Sequence, residues 1–206
     1  MKKSLDSDFF TRLFVSERKQ IALMADEKSH TRVSRRLFAT SRSEMEINMR
    51  KIKYLVMDVD GTLTDGKIYM GSDGELCKAF NAKDGYGIHE ILPQEEIIPI
   101  IITGRTSKIL ELRCKELGVA EVHQGIRNKV QKLKEILNED GLENVAYIGD
   151  DCNDLSCMRS VKEAGGVVGC PGDAVKKVVD ISDFVSSRTG GDGAVREFID
   201  WVVENK

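Results

Sequence analysis

From residue 51 onward, short runs of apolar residues alternate with longer segments in which apolar residues recur at helical spacing. The runs Ile97–Ile102 and Val145–Ile148 are apolar throughout, as the strands of a parallel sheet are when helices cover both of its faces. Val130, Leu133 and Leu137, in contrast, fall on one face of a helix. This alternation predicts an α/β fold of three layers, with a Rossmann-like parallel sheet between helices.

The pattern locates the individual elements and one exception. The predicted strands are 52–57, 97–102, 121–123, 145–148, 167–168 and 184–185, and the predicted helices are 87–92, 107–117, 129–137, 154–164, 174–178 and 194–204. The exception is segment 65–80, which alternates with period two around Ser72-Asp73-Gly74 and therefore predicts a β-hairpin inserted after the first strand.

The first 50 residues differ in composition from the rest of the chain. All 18 glycines and all three prolines follow residue 60, and residues 1–50 carry 11 Lys/Arg against 7 Asp/Glu, whereas the remainder carries 20 against 27. We therefore predict a flexible N-terminal extension over 1–48 and one layered α/β domain over 49–206. An acidic body without a basic motif predicts no nucleic-acid partner.

The chain also has no signal for a membrane or an oxidising compartment. No stretch approaches the roughly 18–20 apolar residues of a membrane span, and Asp6 and Asp8 interrupt the start where a signal peptide needs an apolar run. The five cysteines are an odd, scattered set without a CxxC pair, which argues against disulfides and zinc. These features predict a cytoplasmic protein that makes no membrane contact.

Two aspartates follow the first predicted strand. Asp58 ends an apolar run and Asp60 comes two positions later, before a glycine and Thr62. An EF-hand loop is excluded, because its sixth and twelfth positions would be Leu63 and Tyr69. A simple turn cluster is the alternative, but two acids at a buried strand end repel each other unless a cation or phosphate chemistry requires them.

A second acidic group follows strand 145–148. Parallel strands that are neighbours would bring Asp150 beside Asp58, and oxygen ligands of this kind suit Mg²⁺. The sequence therefore predicts one magnesium site. Asp154 is alternatively only the N-cap of the next helix, and Asp151 only an orienting group.

The other two strand ends carry groups that suit a phosphoryl anion. Thr103 and Arg105 follow strand 97–102, offering a hydroxyl and a planar cation, and Lys129 follows strand 121–123 at a helix start. Each is weak alone, since a lysine that starts a helix is usually solvated. Four such groups at four strand ends together indicate phosphoryl transfer.

This four-part pattern resembles the haloacid dehalogenase (HAD)-like phosphatases over the whole of residues 51–206. The resemblance implies that Asp58 is a nucleophile that forms an aspartyl phosphate and that Asp60 is the general acid and base. It implies that Asp58, the backbone carbonyl of Asp60, and Asp150 bind Mg²⁺, and that Thr103 and Lys129 stabilise the transferred phosphoryl group.

Only the hairpin and one helix separate Asp60 from Thr103, so the chain has no room for the cap domain that usually closes such sites. The finer motifs are similar to one capless family, the 3-deoxy-D-manno-octulosonate 8-phosphate phosphatases. These motifs include Lys78-Ala-Phe-Asn81, Asp84-Gly-Tyr-Gly-Ile88 and Gly190-Gly-Asp-Gly-Ala-Val-Arg-Glu197. The resemblance implies a homotetramer and a glycine-rich segment, 190–193, that reaches a neighbouring active site. The 65–80 hairpin is the expected assembly element, because its edges would otherwise be unpaired.

It also implies a sugar acid phosphate as the small-molecule substrate. The implied substrate-binding residues are Asp60, Asn81, Ala82, Lys83, Asp84, Gly85, His89, Arg105, Arg113 and Lys129. A solvated helix face is the alternative for Arg113, and an ordinary flexible loop before the last helix is the alternative for 190–193.

The chain departs from that family at Ala82-Lys83-Asp84, where Val-Arg-Asp is usual, and at His89, where another basic residue is usual. The expected activity is hydrolysis of the eight-carbon 8-phosphate. A nine-carbon, sialic acid-type 9-phosphate is the alternative substrate, and a phosphatase-like scaffold without activity is the alternative of a different class.

Overall fold

A computed structural model describes residues 52–205. Its centre is a sheet of six parallel strands: β1 (Tyr54–Met57), β4 (Ile98–Ile102), β5 (Glu121–His123), β6 (Val145–Ile148), β7 (Val167–Cys170) and β8 (Phe184–Val185). Their order across the sheet is β5-β4-β1-β6-β7-β8. The predicted α/β fold and parallel sheet are confirmed, with strand ends shifted by up to two residues.

Alternate side chains of the strands enter two separate cores, one on each face of the sheet. In β1, Leu55 and Met57 belong to one apolar cluster and Val56 belongs to the other. In β6, Ile148 joins the first cluster and Tyr147 the second. Because both faces are covered, β1 and β6 are apolar at every position, as expected for buried parallel strands.

Within residues 52–205, seven α-helices surround the sheet. They are α1 (Ala82–Tyr86), α2 (Leu92–Gln94), α3 (Lys108–Leu117), α4 (Lys129–Leu137), α5 (Leu155–Ala164), α6 (Lys176–Val179) and α7 (Ala194–Asn205), and a 3₁₀ turn covers Leu142–Asn144. The N-cap side chains of Ser107 and Asn128 begin α3 and α4, and Gly118 ends α3 in the left-handed conformation. These caps fix where α3 and α4 start relative to the strand ends.

The segment between β1 and β4 contains the hairpin and one helical stretch. The hairpin consists of β2 (Tyr69–Gly71) and β3 (Gly74–Cys77), as predicted. The predicted helix 87–92 is part of a longer stretch in which α1 and α2 are joined by a π-helical turn, Gly87–Ile91. Within residues 52–205 no cap domain is present, in agreement with the predicted capless fold.

The predicted extension, 1–48, lies outside the described residues, and the domain division at 48 stays a prediction. No helix in the described part of the chain is both long and apolar enough to cross a membrane. All five cysteines are free thiols, with Cys77 and Cys152 exposed and the other three buried. The cytoplasmic location and the lack of a nucleic-acid partner stay predictions.

Candidate active site

The carboxyl ends of three adjacent strands bring the predicted catalytic groups together. β1 lies between β4 and β6, and its register places Met57 opposite Ile101 and Ile148. Asp58, Thr103 and Asp150 therefore emerge side by side at one edge of the sheet. They line one open cavity of about 350 Å³, whose walls are Asp58, Asp60, Gly66, Thr103, Gly104, Arg105, Asp150, Asp151 and Asn153.

Lys129 reaches this edge from the start of α4. Its Nζ atom lies 2.8 Å from Oδ1 of Asp58 and 2.7 Å from Oδ1 of Asp154, and its side chain is only 1% exposed. The alternative of a solvated lysine is therefore wrong. Burial alone would lower the pKa of Lys129, but the charges of Asp58 and Asp154 outweigh that effect and raise the pKa, so the ammonium group stays charged.

Two of the carboxyl groups are crowded and partly desolvated. Burial raises the pKa of Asp58, the charge of Asp154 adds to the rise, and Lys129 opposes it. Burial likewise raises the pKa of Asp150 to about 7, with a further contribution from Asp58, although a hydrogen bond from Thr62 opposes the shift. The charged forms of both carboxyl groups are therefore destabilised, and a bound cation would stabilise them.

Asp154 accepts four hydrogen bonds that connect three parts of the site. Its Oδ1 accepts hydrogen bonds from Lys129 and from the buried phenol of Tyr147, both at 2.7 Å. Its Oδ2 accepts from the backbone N–H groups of Asp150 at 3.2 Å and Asp151 at 3.3 Å. Although Asp154 occupies the N-cap position of α5, its side chain caps none of that helix's N–H groups. The simple N-cap interpretation is therefore wrong.

A possible metal position follows from these contacts. Oxygen atoms of Asp58, Asp150 and Asp154 lie within 4.8 Å of one another. Since four hydrogen bonds already occupy Asp154 and it does not line the cavity, Asp58 and Asp150 are the carboxylates of this group that face the cavity. Asp151 also lines it, while its Oδ1 accepts the backbone N–H of Cys152 at 2.6 Å.

The predicted substrate-binding residues do not all lie in one cavity. Asp60 and Arg105 line the large cavity. Asn81, Asp84, Gly85 and Arg113 line a second, much smaller cavity together with Phe80. Ala82 and Lys83 are exposed on α1. His89 is exposed too, and its Nδ1 lies 3.0 Å from the carbonyl of Leu117.

Three of these residues have structural contacts that their sequence positions did not suggest. Asn81 caps α1 by accepting the backbone N–H of Lys83 at 2.9 Å. Asp84 is buried and accepts the backbone N–H of Arg196 at 2.8 Å, at the start of α7. Arg113 lies over the Phe80 ring at 6.0 Å, so its side chain is not part of a solvated helix face. The substrate contacts themselves stay predictions.

The glycine-rich segment 190–193 contacts the catalytic loop of its own chain. Gly191 donates its N–H to the carbonyl of Thr62 at 3.1 Å, and a Cβ atom on Gly191 would lie 2.7 Å from the backbone nitrogen of Asp65. The alternative of an ordinary loop is wrong, because this segment packs directly against the loop that carries Asp60. The predicted reach of this segment into a neighbouring active site stays a prediction.

Two residues of the hairpin enter the site without having been predicted to do so. Lys78 pairs with Asp60 and with Glu75, and Glu75 contacts Arg105 and Ser107. Lys78 belongs to the motif Lys78-Ala-Phe-Asn81, but neither periodicity nor composition predicts that it is buried while Lys67, in the same hairpin segment, is exposed. The difference in burial between the two lysines arises because the hairpin folds back over the strand ends.

Comparison with known proteins gives a consistent result. No protein-family model matches the chain. The 3-deoxy-D-manno-octulosonate 8-phosphate phosphatase KdsC of Escherichia coli K12 is 44% identical over 151 residues, which are 72% of this chain and 78% of that protein.

Solved structures agree with that relative. A 3-deoxy-D-manno-octulosonate 8-phosphate phosphatase from Moraxella catarrhalis, in complex with magnesium, phosphate and KDO, superposes with a TM-score of 0.72 at 38% identity, covering 79% of this chain and 92% of that one. An HAD superfamily (subfamily III A) hydrolase from Legionella pneumophila gives 0.71 at 33% identity, covering 82% and 92%.

The parallel sheet, the hairpin insertion and the groups at the strand ends define a hydrolase of the HAD superfamily, and the enzyme is a phosphatase. Within that superfamily, the chain belongs to the family of 3-deoxy-D-manno-octulosonate 8-phosphate phosphatases.

Proposed function

We propose that this phosphatase hydrolyses 3-deoxy-D-manno-octulosonate 8-phosphate with Mg²⁺ through an aspartyl phosphate on Asp58. The observation that carries the proposal is the placement of Asp58. It is buried at the end of the central strand, 2.8 Å from a buried lysine and at the edge of the cavity that Thr103 and Asp150 also line. A carboxylate held in this way next to a cation is suited to attack a phosphoryl group.

The reaction proceeds in two balanced steps. A carboxylate oxygen of Asp58 attacks phosphorus, the bond from phosphorus to the sugar oxygen breaks, and Asp60 gives its proton to the departing alkoxide. Water then attacks the phosphorus of the acyl phosphate while Asp60 takes up its proton. The bond from phosphorus to Asp58 breaks, so phosphate leaves and both carboxyl groups return to their starting states.

Thr103 and Lys129 act on the charge of the transferred group. Thr103 is buried at the cavity wall, and its backbone N–H is already used in a bond to His123 at 3.0 Å, so its hydroxyl is the group that can meet a phosphoryl oxygen. Lys129 stays charged and holds Asp58 in place. Both contributions are electrostatic and are strongest in a water-poor site.

The residues present suit Mg²⁺. Asp58 and Asp150 offer only oxygen donors and lie close enough to share one cation. Their pKa values are raised by burial and by the charge of a neighbouring carboxylate, which is Asp154 for Asp58 and Asp58 for Asp150, and a bound cation would oppose both shifts. When bound, Mg²⁺ neutralises charge on the phosphoryl group. We assign Asp58, Asp150 and the backbone carbonyl of Asp60 as its protein ligands.

The substrate proposal rests on the relatives and on Arg105. The Moraxella relative contains KDO, and KdsC of E. coli is named for this activity. Arg105 lines the cavity with 43% of its side chain exposed, so part of its guanidinium group can bind the carboxylate of a sugar acid.

Purified protein should release phosphate from the eight-carbon 8-phosphate in the presence of Mg²⁺ and lose that activity with EDTA. Asp58→Asn should abolish turnover, whereas Asp73→Asn, on the exposed hairpin turn, is the matched control and should not. An active Asp58→Asn protein would refute the mechanism. A higher kcat/KM for a nine-carbon 9-phosphate would reassign the substrate, and no turnover on either would favour the scaffold alternative.

We assign self-association, most simply a homotetramer, to the hairpin. The hairpin segment exposes four large apolar side chains, Ile68, Tyr69, Met70 and Leu76, with Met70 59% and Leu76 67% exposed. Since an isolated two-stranded hairpin is only marginally stable in water, a second copy that covers this surface would stabilise it. A Met70→Lys/Leu76→Lys variant should therefore sediment as a smaller species than wild type. Leu112→Lys, at an equally exposed leucine on α3, is the control and should keep the native size.

The domain boundary is tested by truncation. Every residue assigned to the reaction lies between Asp58 and Asp154, so a protein that starts at Met49 should retain kcat/KM. Loss of activity in a truncated protein that still unfolds cooperatively would place part of the active site in residues 1–48.

A further inference from the structure

Lys78 follows strand β3 of the hairpin and is buried against the active-site loop. Its side chain is only 2% exposed, and Nζ contacts Oδ1 of Asp60 and lies 3.2 Å from Oε1 of Glu75. A lysine is almost never buried to this degree unless its charge is paired. The pairing partner here is the residue assigned as general acid and base.

Glu75 ties this lysine to the opposite wall of the cavity. Its Oε2 accepts a hydrogen bond from the hydroxyl of Ser107, and its Oε1 lies 3.4 Å from Nη2 of Arg105. Burial would raise the pKa of Glu75, but the hydrogen bonds from Ser107 and Lys78 and the charge of Arg105 lower it below its ordinary value. Glu75 is thus a charged anchor between the hairpin and the loop that follows β4.

The two oxygens of Asp60 face different cations. Oδ1 contacts Lys78, whereas Oδ2 lies 3.6 Å from Nε of Arg105. Arg105 lines the cavity and is partly exposed, but Lys78 is buried and is not part of the cavity wall. The arrangement therefore holds Oδ1 away from the substrate and leaves Oδ2 on the cavity side.

Proton transfer to a leaving group depends on this orientation, because the acid must lie within hydrogen-bond reach of the departing oxygen. We propose that Lys78 is a positioning residue that fixes the rotamer of Asp60, with Glu75 holding Lys78 in place. This inference rests on the proposed function, since it concerns the step in which Asp60 protonates the sugar alkoxide.

The step can be isolated by the choice of leaving group. The sugar alkoxide is a poor leaving group and needs a proton from Asp60, whereas the nitrophenolate of p-nitrophenyl phosphate leaves without one. Removing Lys78 should therefore reduce the first reaction much more than the second. The ratio of the two kcat/KM values, measured on one sample, does not depend on the fraction of the protein that is folded.

The experiment compares Lys78→Met and Lys78→Arg with wild type on 3-deoxy-D-manno-octulosonate 8-phosphate and on p-nitrophenyl phosphate. In Lys78→Met the ratio should fall about tenfold or more, through kcat rather than KM. Lys78→Arg, which keeps a buried cation, should restore most of the ratio. Lys67→Met is the matched control, because this lysine belongs to the same hairpin segment but is 71% exposed and pairs only with Asp65 in the described structure.

The possible results distinguish a failure of the Lys78 role from a failure of the proposed phosphatase reaction. Equal losses on both substrates in Lys78→Met, or a similar change of the ratio in Lys67→Met, would overturn the role of Lys78 while leaving the phosphatase reaction intact. A wild-type protein inactive on the sugar acid phosphate would overturn both.

Discussion

The ammonium group of Lys129 lies 2.8 Å from Oδ1 of Asp58, and both side chains are almost fully buried. The lysine belongs to the first turn of α4 and the aspartate follows β1, so two distant parts of the chain form one charged pair. Burying an ion pair is costly unless each charge is well satisfied. Such a pair at a strand end is therefore better explained by chemistry than by stability.

The first prediction concerns this pair. Lys129→Met would leave Asp58 and Asp154 buried without their cation, so the free energy of unfolding should fall by about 3 kcal/mol or more. Phosphatase activity should fall at least about 100-fold, as expected when an electrostatic group is removed from the site. Urea unfolding and kcat/KM measure the two effects. Lys132→Met, at a partly exposed lysine of the same helix, is the control and should change both little.

A double variant separates the two effects. Adding Asp154→Asn to Lys129→Met removes one of the unpaired buried charges, so part of the lost stability should return while activity stays low. If activity returned together with stability, Lys129 would have only a structural role.

The second prediction concerns Asp154, which accepts two backbone N–H groups from the loop bearing Asp150. In Asp154→Asn the side chain offers one oxygen instead of two, so this loop loses part of its support. The Mg²⁺ concentration for half-maximal activity should rise about tenfold, the effect expected for a residue that orients a metal ligand. Asp180→Asn, at an exposed carboxylate of an i,i+4 pair, is the control. An unchanged Mg²⁺ requirement would contradict this role.

The sheet and the strand-end groups were predictable because their signals are local. A run such as Val145–Ile148 is apolar whether or not its partners are known, and the aspartates and threonine follow such runs directly. Parallel pairing then places the ends of neighbouring strands at one edge. The cavity lined by Asp58, Thr103 and Asp150 follows from those two facts.

The contacts that could not be predicted depend on side-chain placement across long distances in sequence. Lys78 pairs with Asp60, 18 residues away, only because the hairpin folds back over the strand ends. Asp84 meets the backbone of Arg196 across 112 residues. Alternation and spacing assign residues to elements, but they contain no information on which polar side chains meet between elements.

The third prediction concerns the pH dependence of stability. Burial raises the pKa of Asp84 to about 6, the charge of Asp192 adds to the rise, and the contacts with Arg196 oppose it. The folded protein therefore binds this proton more tightly than the unfolded chain. The stabilising contribution of Asp84 is complete below about pH 4 and is lost as the pH rises through about 6.

Asp84→Asn cannot titrate, so the variant should gain stability relative to wild type as the pH rises from 4 to 7. A pKa shift of about two units sets an upper limit of about 3 kcal/mol for this relative gain. Urea unfolding of both proteins at several pH values measures it, since titrations common to both proteins cancel in the difference. A stability difference that does not vary with pH would contradict the assignment.

The last prediction concerns the packing of Gly190 against the catalytic loop. A Cβ atom at this position would meet the carbonyl oxygen of Gly61 and lie 2.9 Å from that of Thr64. In Gly190→Ala these backbone atoms must move, and they belong to the loop that carries Asp60. Because a displacement of about 1 Å at a catalytic group lowers the reaction rate strongly, kcat should fall about tenfold or more. Gly118→Ala is the control, since it strains the left-handed end of α3 by about 1 kcal/mol, but its methyl group would make only an ordinary contact, 3.9 Å from Nδ1 of His89, and should leave kcat unchanged. Equal kcat values for Gly190→Ala and wild type would show that this loop tolerates the methyl group and that segment 190–193 does not position Asp60.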